Sequence, residues 1–420
     1  MMTQAFYTGV SGLKNFSDGI NVVTDNIANI NTVGFRGYNA EFASLFEKKI
    51  NTDTGVDTEA NSVGCGVRIN TTSMVEANGS LLLSDRSTDL ALLGDGWFGI
   101  QRDGEALYTR DGTFGFDEND DLVSADGFHV LGTLGGNISA ENVLTKTLDS
   151  IALGDVSTQE KLRFPKTLTF PVQPSTEAKF MANVGVGAGP VTISASVIDA
   201  NGARNSLRLL FTKSDTQTPP GSQWNVEATT KNADGTITYD TQKGTVAFGA
   251  SGEIVSTTLT TINNNGTAVA MDLGTAYSGI VSIDVPITAG SSLANGTQGG
   301  DLVGYTVNKD AEVIATFTNG MQSTVGKVAV FHFQNNQGLE RISGSRFAKS
   351  ENSGEALFFK DAKGNYVNGA DVVNYKLEGS NYDLSEGLTQ LIILQRSYDA
   401  SSKLVTTADQ MMQKALQMDA

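Results

Sequence analysis

The first thirty residues place apolar or small side chains at Phe6, Gly9, Leu13, Phe16, Ile20, Val23, Ile27 and Ile30, in alternating steps of three and four. That spacing predicts a helix of about four heptads with a narrow apolar seam. It runs out at "NINTVGF", where Asn and Thr favour turns and Gly34 can take left-handed backbone. The far end repeats the pattern at Leu384, Gly387, Leu391, Leu394, Tyr398, Ser401, Val405, Ala408, Met412 and Ala415. Asp383 is placed to cap this second helix, and Glu386 to reach back. Neither proline nor glycine follows Gly387, so roughly 35 residues, about 50 Å at 1.5 Å per residue, are open to helix. A narrow seam on a polar surface leaves each helix marginal in water by itself. The two seams either pair on one compact body or serve contacts between molecules.

Between the ends the period changes to two. "DLALLGDGWFGIQRDGEALYTRDGTFGF" sets Asp95-Gly96, Asp103-Gly104 and Asp111-Gly112 between strand-like runs, which predicts repeated hairpins. "LRLLFTK", "WNVEATT", "GTVAFG" and "EVIATFTNG" read as further strands. All seven prolines, Pro165, Pro171, Pro174, Pro190, Pro219, Pro220 and Pro286, fall in the middle of the chain. Proline disrupts helix interiors and central strands, so this confinement predicts a separate, loop-bearing β domain inserted into a more regular frame.

Composition narrows the function classes. At 420 residues the chain has room for two to four domains at roughly 100–200 residues each. With 29 basic against 46 acidic residues the net charge is −17, which disfavours nucleic acid and anionic membranes as partners. The lone Cys65 permits no intramolecular disulfide and reads as a small buried residue. No signal-peptide core and no run of eighteen apolar residues is apparent, so neither a cleavable leader nor membrane insertion is expected.

"GDGWFG", Gly94 to Gly99, matches the glycine pattern of a dinucleotide loop. Such a loop must open into a helix that holds the phosphates, whereas here more glycines follow every few residues. A hairpin turn at Asp95-Gly96 explains the glycines instead. "FDENDDL" imitates a calcium loop at Asp117, Asn119 and Asp121, but Leu122 and Phe128 stand where glycine and a bidentate glutamate are required. A solvated hairpin tip is expected there. His129 and His332 sit in apolar runs, as core or half-buried residues do, and neither has enough local ligands for a metal site. No nucleophile elbow, Walker loop or zinc-protease motif occurs. The expectation is a protein that is not an enzyme and holds no cofactor or metal.

"SGL" at Ser11 to Leu13 and "DNIANINTVGFRG" at Asp25 to Gly37 resemble the N-terminal signature of the bacterial flagellar rod and hook axial family. "DLALLGDGWFGI" and "YTRDGTFGFDENDDLVSADGFHVLG" are similar to that family's shared β region. "SNYDLSEGLTQLIILQRSYDASSKLV" resembles its C-terminal signature, with Gln395, Arg396 and Tyr398 in place. Two departures appear: Tyr382 stands where valine is usual, and Gly387 where an acidic residue is usual. "SVIDANGARNSLRLLFTK", Trp224, "GTVAFGASGEIVS" and "GTQGGDLVGYTVNKDAEVIATFTNG" resemble the hook branch, since a distal rod protein would lack most of 150–300.

The resemblance implies a subunit that polymerises into a curved hollow tube joining rod to filament and transmitting torque as a universal joint. It implies an extracellular place in the flagellar hook, with export through the flagellar type III apparatus. Its implied partners are further copies of itself, the distal rod protein, the hook cap protein and the hook–filament junction protein. Assembly is expected to use Phe6, Leu13, Phe16, Ile20, Val23, Ile27, Asn29, Asn31, Thr32, Gly34 and Phe35. At the other end it is expected to use Asn381, Leu384, Leu391, Leu394, Gln395, Arg396, Tyr398, Val405 and Met412. The expected fold is multidomain: long terminal helices forming a coiled-coil-like inner domain from 1–35 and 380–420, then nested, predominantly antiparallel β domains of barrel or sandwich type. A connector is expected at 36–71, a middle β domain from 72–150 with 300–379, and an inserted outer β domain at 151–299. Alternatives are the distal rod or another axial protein of the family and, from a different class, a secreted β-rich binding module or adhesin.

Overall fold

The computed structural model describes residues 2–45, 47–49, 62–288 and 290–418. Two α-helices lie at the ends, α1 (Met2–Ala28) and α2 (Leu384–Met418), and the rest of the described chain is strands, turns and two short 3-10 helices. The Asp383 carboxylate accepts from the N–H groups of Ser385 and Glu386 at 2.8 and 3.0 Å and so starts α2. Glu386 does not reach back; its side chain accepts from Gln390 one turn on.

The coiled-coil-like helical inner domain expected from the heptad stripes is corrected by this architecture, which is mostly β. At the shared face of the helices Gly9, Gly12 and Gly19 of α1 lie against Val405, Ser401 and Leu394 of α2, so at these positions α1 offers glycines rather than knobs, while Leu388, Ile392, Ile393 and Leu404 of α2 face solvent. A heptad stripe records which positions avoid charge; it does not record whether the side chains there are large enough to interlock.

Within the segment read as a connector, Tyr38–Ser44 pairs antiparallel with Val67–Met74, and Glu47–Lys49 with Ser62–Gly64. Beyond it lies a large mixed-order sheet whose main path runs 169–170, 300–307, 312–317, 322–328, 129–134, 97–102, 105–109, 346–348 and 340–343. Strands from before residue 135 and after residue 300 therefore interleave in one sheet. One core beneath it gathers Phe98, Phe114, Phe164, Phe170 and Phe317, and a second gathers Trp97, Tyr108, Phe331 and Phe347.

Residues 191–257 form a five-stranded antiparallel meander beside a four-stranded sheet ordered 261–264, 267–272, 177–180 and 292–294. Alternation of buried and exposed positions along Val191–Val197 and Arg204–Leu209 puts one face of the meander inward. That face closes over Phe180, Phe211, Trp224 and Val246, a core separate from the other two.

Of the three Asp-Gly hairpins predicted, Asp103-Gly104 is one: both residues have positive φ, 54° and 90°, and they join Trp97–Arg102 to Glu105–Thr109. Asp95-Gly96 is not. Leu90–Leu93 pairs with Asp371–Asn374, so Gly94 to Gly96 carries the chain from one sheet to another. Asp111-Gly112 is not a hairpin either; its glycine lets the backbone pass Leu90, whose carbonyl oxygen would lie 1.7 Å from an added Cβ. Asp117 to Asp121 does form a hairpin tip between Phe114–Phe116 and Leu122–Ser124, although Asp121 is buried rather than solvated. Cys65 is half-buried, not buried.

Candidate assembly surface

The two helices approach each other through residues with little or no side chain. A Cβ added at Gly9 would lie 2.7 Å from Val405 Cγ2, and one at Gly12 2.7 Å from Ser401 Oγ. Ser401 and Ala408 are buried residues of α2. Val23 is buried, whereas Phe6, Leu13, Phe16, Ile20 and Ile27 on α1 and Leu391, Leu394, Val405 and Met412 on α2 are half-buried. Leu384, Gln395, Arg396 and Tyr398 are exposed. Beside the contact, Ile393, Leu404 and Met411 recur at spacings of eleven and seven on α2, and each is more than half exposed (59, 51 and 53%). Those spacings are close to whole helical turns, so the three side chains form one open apolar row.

Amide side chains pin α1 to the neighbouring hairpin. Asn15 accepts from the Ile69 N–H at 2.7 Å and donates to the Val67 carbonyl at 2.9 Å. Asn26, buried, does the same with the N–H and carbonyl of Tyr38 at 3.0 and 2.7 Å. Each amide completes both halves of a backbone pair, as a strand would. Asn381, before α2, accepts from Gly37 N–H and donates to the carbonyls of Val75 and Ala77, all at 2.8 Å. The Gly34 N–H donates to the Glu378 carbonyl at 2.7 Å. Gly34 has φ +66°, and an added Cβ would stand 2.3 Å from the Asp111 nitrogen, so both conformation and space demand glycine. Phe35 is buried, Asn29 and Thr32 are half-buried and hydrogen-bond to each other, and Asn31 is exposed.

Under this junction lies a buried ionic knot. The Glu378 carboxylate meets Arg36 and Arg110, each at 3.1 Å, and also accepts from the Gly79 N–H at 2.9 Å. The three side chains are only 2–3% exposed. Arg36 also donates to the Ala77 carbonyl and Asn78, and Arg110 to the Gly94 carbonyl. Burial, reinforced by the neighbouring Arg110 charge, lowers Arg36 from its ordinary value to about 10, with Glu378 opposing the shift. Burial likewise lowers Arg110, against the pull of Glu378. Sequence patterning had no means of finding this knot, since its members are 74 and 268 positions apart.

The two departures from the family signature turn out to be neighbours. Tyr382 is buried, and a Cβ at Gly387 would come within 2.5 Å of its ring. A larger residue at the first position needs the smallest one at the second.

Three family models match the chain: the flagella basal body rod protein model at residues 6–36, the flagellar hook protein FlgE/F/G D1 domain at 91–159, and the flagellar basal body rod FlgEFG protein C-terminal model at 374–418. These intervals contain α1 with its exit turn, the shared β region, and α2. The flagellar hook protein FlgE of Borreliella burgdorferi is 26% identical over 99% of this chain and 100% of its own length. That of Escherichia coli K12 is 27% identical over 97% and 98%. The crystal structure of Helicobacter pylori flagellar hook protein FlgE2 superposes with a TM-score of 0.54 at 13% identity, covering 71% of this chain and 100% of that one, and speaks for the fold. With models matching at both termini and in the β body, and hook proteins aligning along almost the whole length, the chain is similar throughout to flagellar hook proteins.

Proposed function

We propose that this chain is a structural subunit of the bacterial flagellar hook that polymerises by completing the open side of its terminal helix pair against neighbouring copies. The observation that carries the reading is the apolar row Ile393, Leu404 and Met411, left in solvent beside a helix contact already filled by small residues. Burying such a row is favourable at roughly 25 cal/mol per Å² of apolar surface. The subunits form the short curved tube between rod and filament, outside the cell, and the work is mechanical.

The named terminal residues are proposed to divide that work. Gly34, Phe35 and Asn381 lock the junction, the half-buried seam residues hold the helices together, and Leu384, Gln395, Arg396 and Tyr398 face neighbouring copies. The division into terminal, middle and inserted outer units is proposed on the separate cores and on strands from 97–134 and 300–348 sharing one sheet. Distal rod protein, cap protein, junction protein and export through the type III apparatus are proposed as partners and route on the similarity to flagellar hook proteins along the chain.

The test is electron microscopy of the full chain under salting-out conditions, beside an Ile393→Lys, Leu404→Lys double variant. Salting-out strengthens apolar burial. Tubes or curved filaments are expected from the first and dispersed particles from the second. Filaments of equal length from both would overturn the role given to the row.

A further inference from the structure

The hairpin tip dismissed as a calcium loop acquires a third member in the folded chain. Asp117, Asp121 and His129 each bring a ligand atom within 4.8 Å of the other two, the one such group among the described residues. His129 arrives from the next strand, since Val123 pairs with it across the sheet. Its Nδ1 lies 3.6 Å from Asp121 Oδ2.

Two observations independent of that proximity bear on what the group is for. Asp121 is 1% exposed, and its Oδ1 has no hydrogen-bond partner; Nδ1 of His129 is buried and equally without one. Buried polar atoms are ordinarily paired, so an unpaired atom on each of these two neighbouring side chains leaves room for a further ligand. The N–H groups of Asp121 and Asn119 donate to Asp117 Oδ1. Those two bonds leave Oδ2 unclaimed and fix the side chain.

We propose that Asp117, Asp121 and His129 form a binding site for a transition-metal dication of the zinc type, closed by water at the remaining position. One imidazole and two carboxylates suit zinc and its neighbours, whereas calcium and magnesium take all-oxygen shells and more ligands than this site offers. Lys161 sits 2.7 Å from Asp121 Oδ2 and supplies the positive charge when no metal is present. Its side chain is 55% exposed, so the ammonium can turn into solvent as a cation enters. The bound ion would staple the 117–121 tip to the strand at 129–134, stiffening the middle of the β body.

The test is calorimetric titration of the chelator-treated full chain, kept dilute, with zinc chloride, and of a His129→Gln variant alongside. One equivalent is expected for the native chain and none for the variant, with cobalt(II) giving a visible ligand-field spectrum only in the former. Asp117→Asn preserves acceptance of both N–H bonds while removing the charge, and should weaken binding by at least about tenfold, the lower range for loss of even an outer-shell partner. Excess calcium should leave the zinc equivalent in place. No heat at millimolar zinc, an undiminished equivalent in His129→Gln, or full displacement by calcium would overturn the proposal.

Discussion

The outer β region and the terminal helix pair solve opposite problems with the same chain. The outer region turns Phe180, Phe211, Trp224 and Val246 inward under a meander whose strands alternate buried and exposed positions, so it holds a closed core of its own. The helix pair meets through Gly9 and Gly12 against Val405 and Ser401 and leaves Ile393, Leu404 and Met411 in water. One region is finished within the monomer; the other is proposed to be finished by its neighbours. A part that must bend and still hold benefits from that separation, because the outer bodies can keep their shape while contacts between subunits change.

The largest expected effects come from breaking the two interiors separately. Glu378→Ala leaves Arg36 and Arg110 buried without their counter-charge and should cost about 3–5 kcal/mol. Trp224→Ala, removing a fully buried side chain from the outer core, should cost a similar roughly 3–5 kcal/mol. The comparison predicts that urea unfolding followed by amide exchange finds the first loss around residues 75–110 and 376–382 and the second confined to 177–294. Losses spread evenly over the chain in both variants would mean that the regions are one unit.

Gly12→Ala comes next. Overpacking against Ser401 costs about 1–3 kcal/mol, offset by roughly 1 kcal/mol of helix propensity. A thermal melt should show a net loss restricted to helix signal in the far ultraviolet. The Tyr382 and Gly387 pair sharpens this further. Gly387→Ala alone should destabilise, and Tyr382→Val should relieve it, with a coupling of about 0.5–3 kcal/mol in a double-mutant cycle. Additive losses would show that the two departures from the signature are unrelated.

The smallest expected effect depends on pH and belongs to the outer region. Asp199 is buried; desolvation pushes its pKa up, but hydrogen bonds from Asn265, Ala203, Asn201 and Asn205 outweigh this and hold it below the ordinary 3.8. A carboxylate lowered on folding contributes stability that is present above 3.8 and lost as pH falls through the depressed value. Melts between pH 5 and pH 2 should show that loss in the native chain and a flatter profile in Asp199→Asn.

Much of the middle was readable beforehand because period-two alternation survives burial on one face: "LRLLFTK" and "WNVEATT" lie within strands 204–213 and 222–231. The helix stripes were readable as stripes but misleading as coiled coil, since Gly9 and Ser401 satisfy a seam without supplying knobs. Asp95-Gly96 misled because glycine reports backbone conformation, not which strands it connects. The junction was the least legible part. Arg36, Arg110 and Glu378 are distant in sequence, and Asn15 and Asn26 are polar residues whose value lies in matching a backbone edge that only the folded hairpin presents.

The account rests on the helix pair being unfinished in the single subunit, and amide hydrogen exchange of the full chain, dilute and then polymerised, tests that most directly. Residues 5–28 and 384–416 should exchange quickly in the dilute chain and slowly in the polymer, while 191–257 stay protected in both. Strong protection of both helices in the dilute monomer would contradict it.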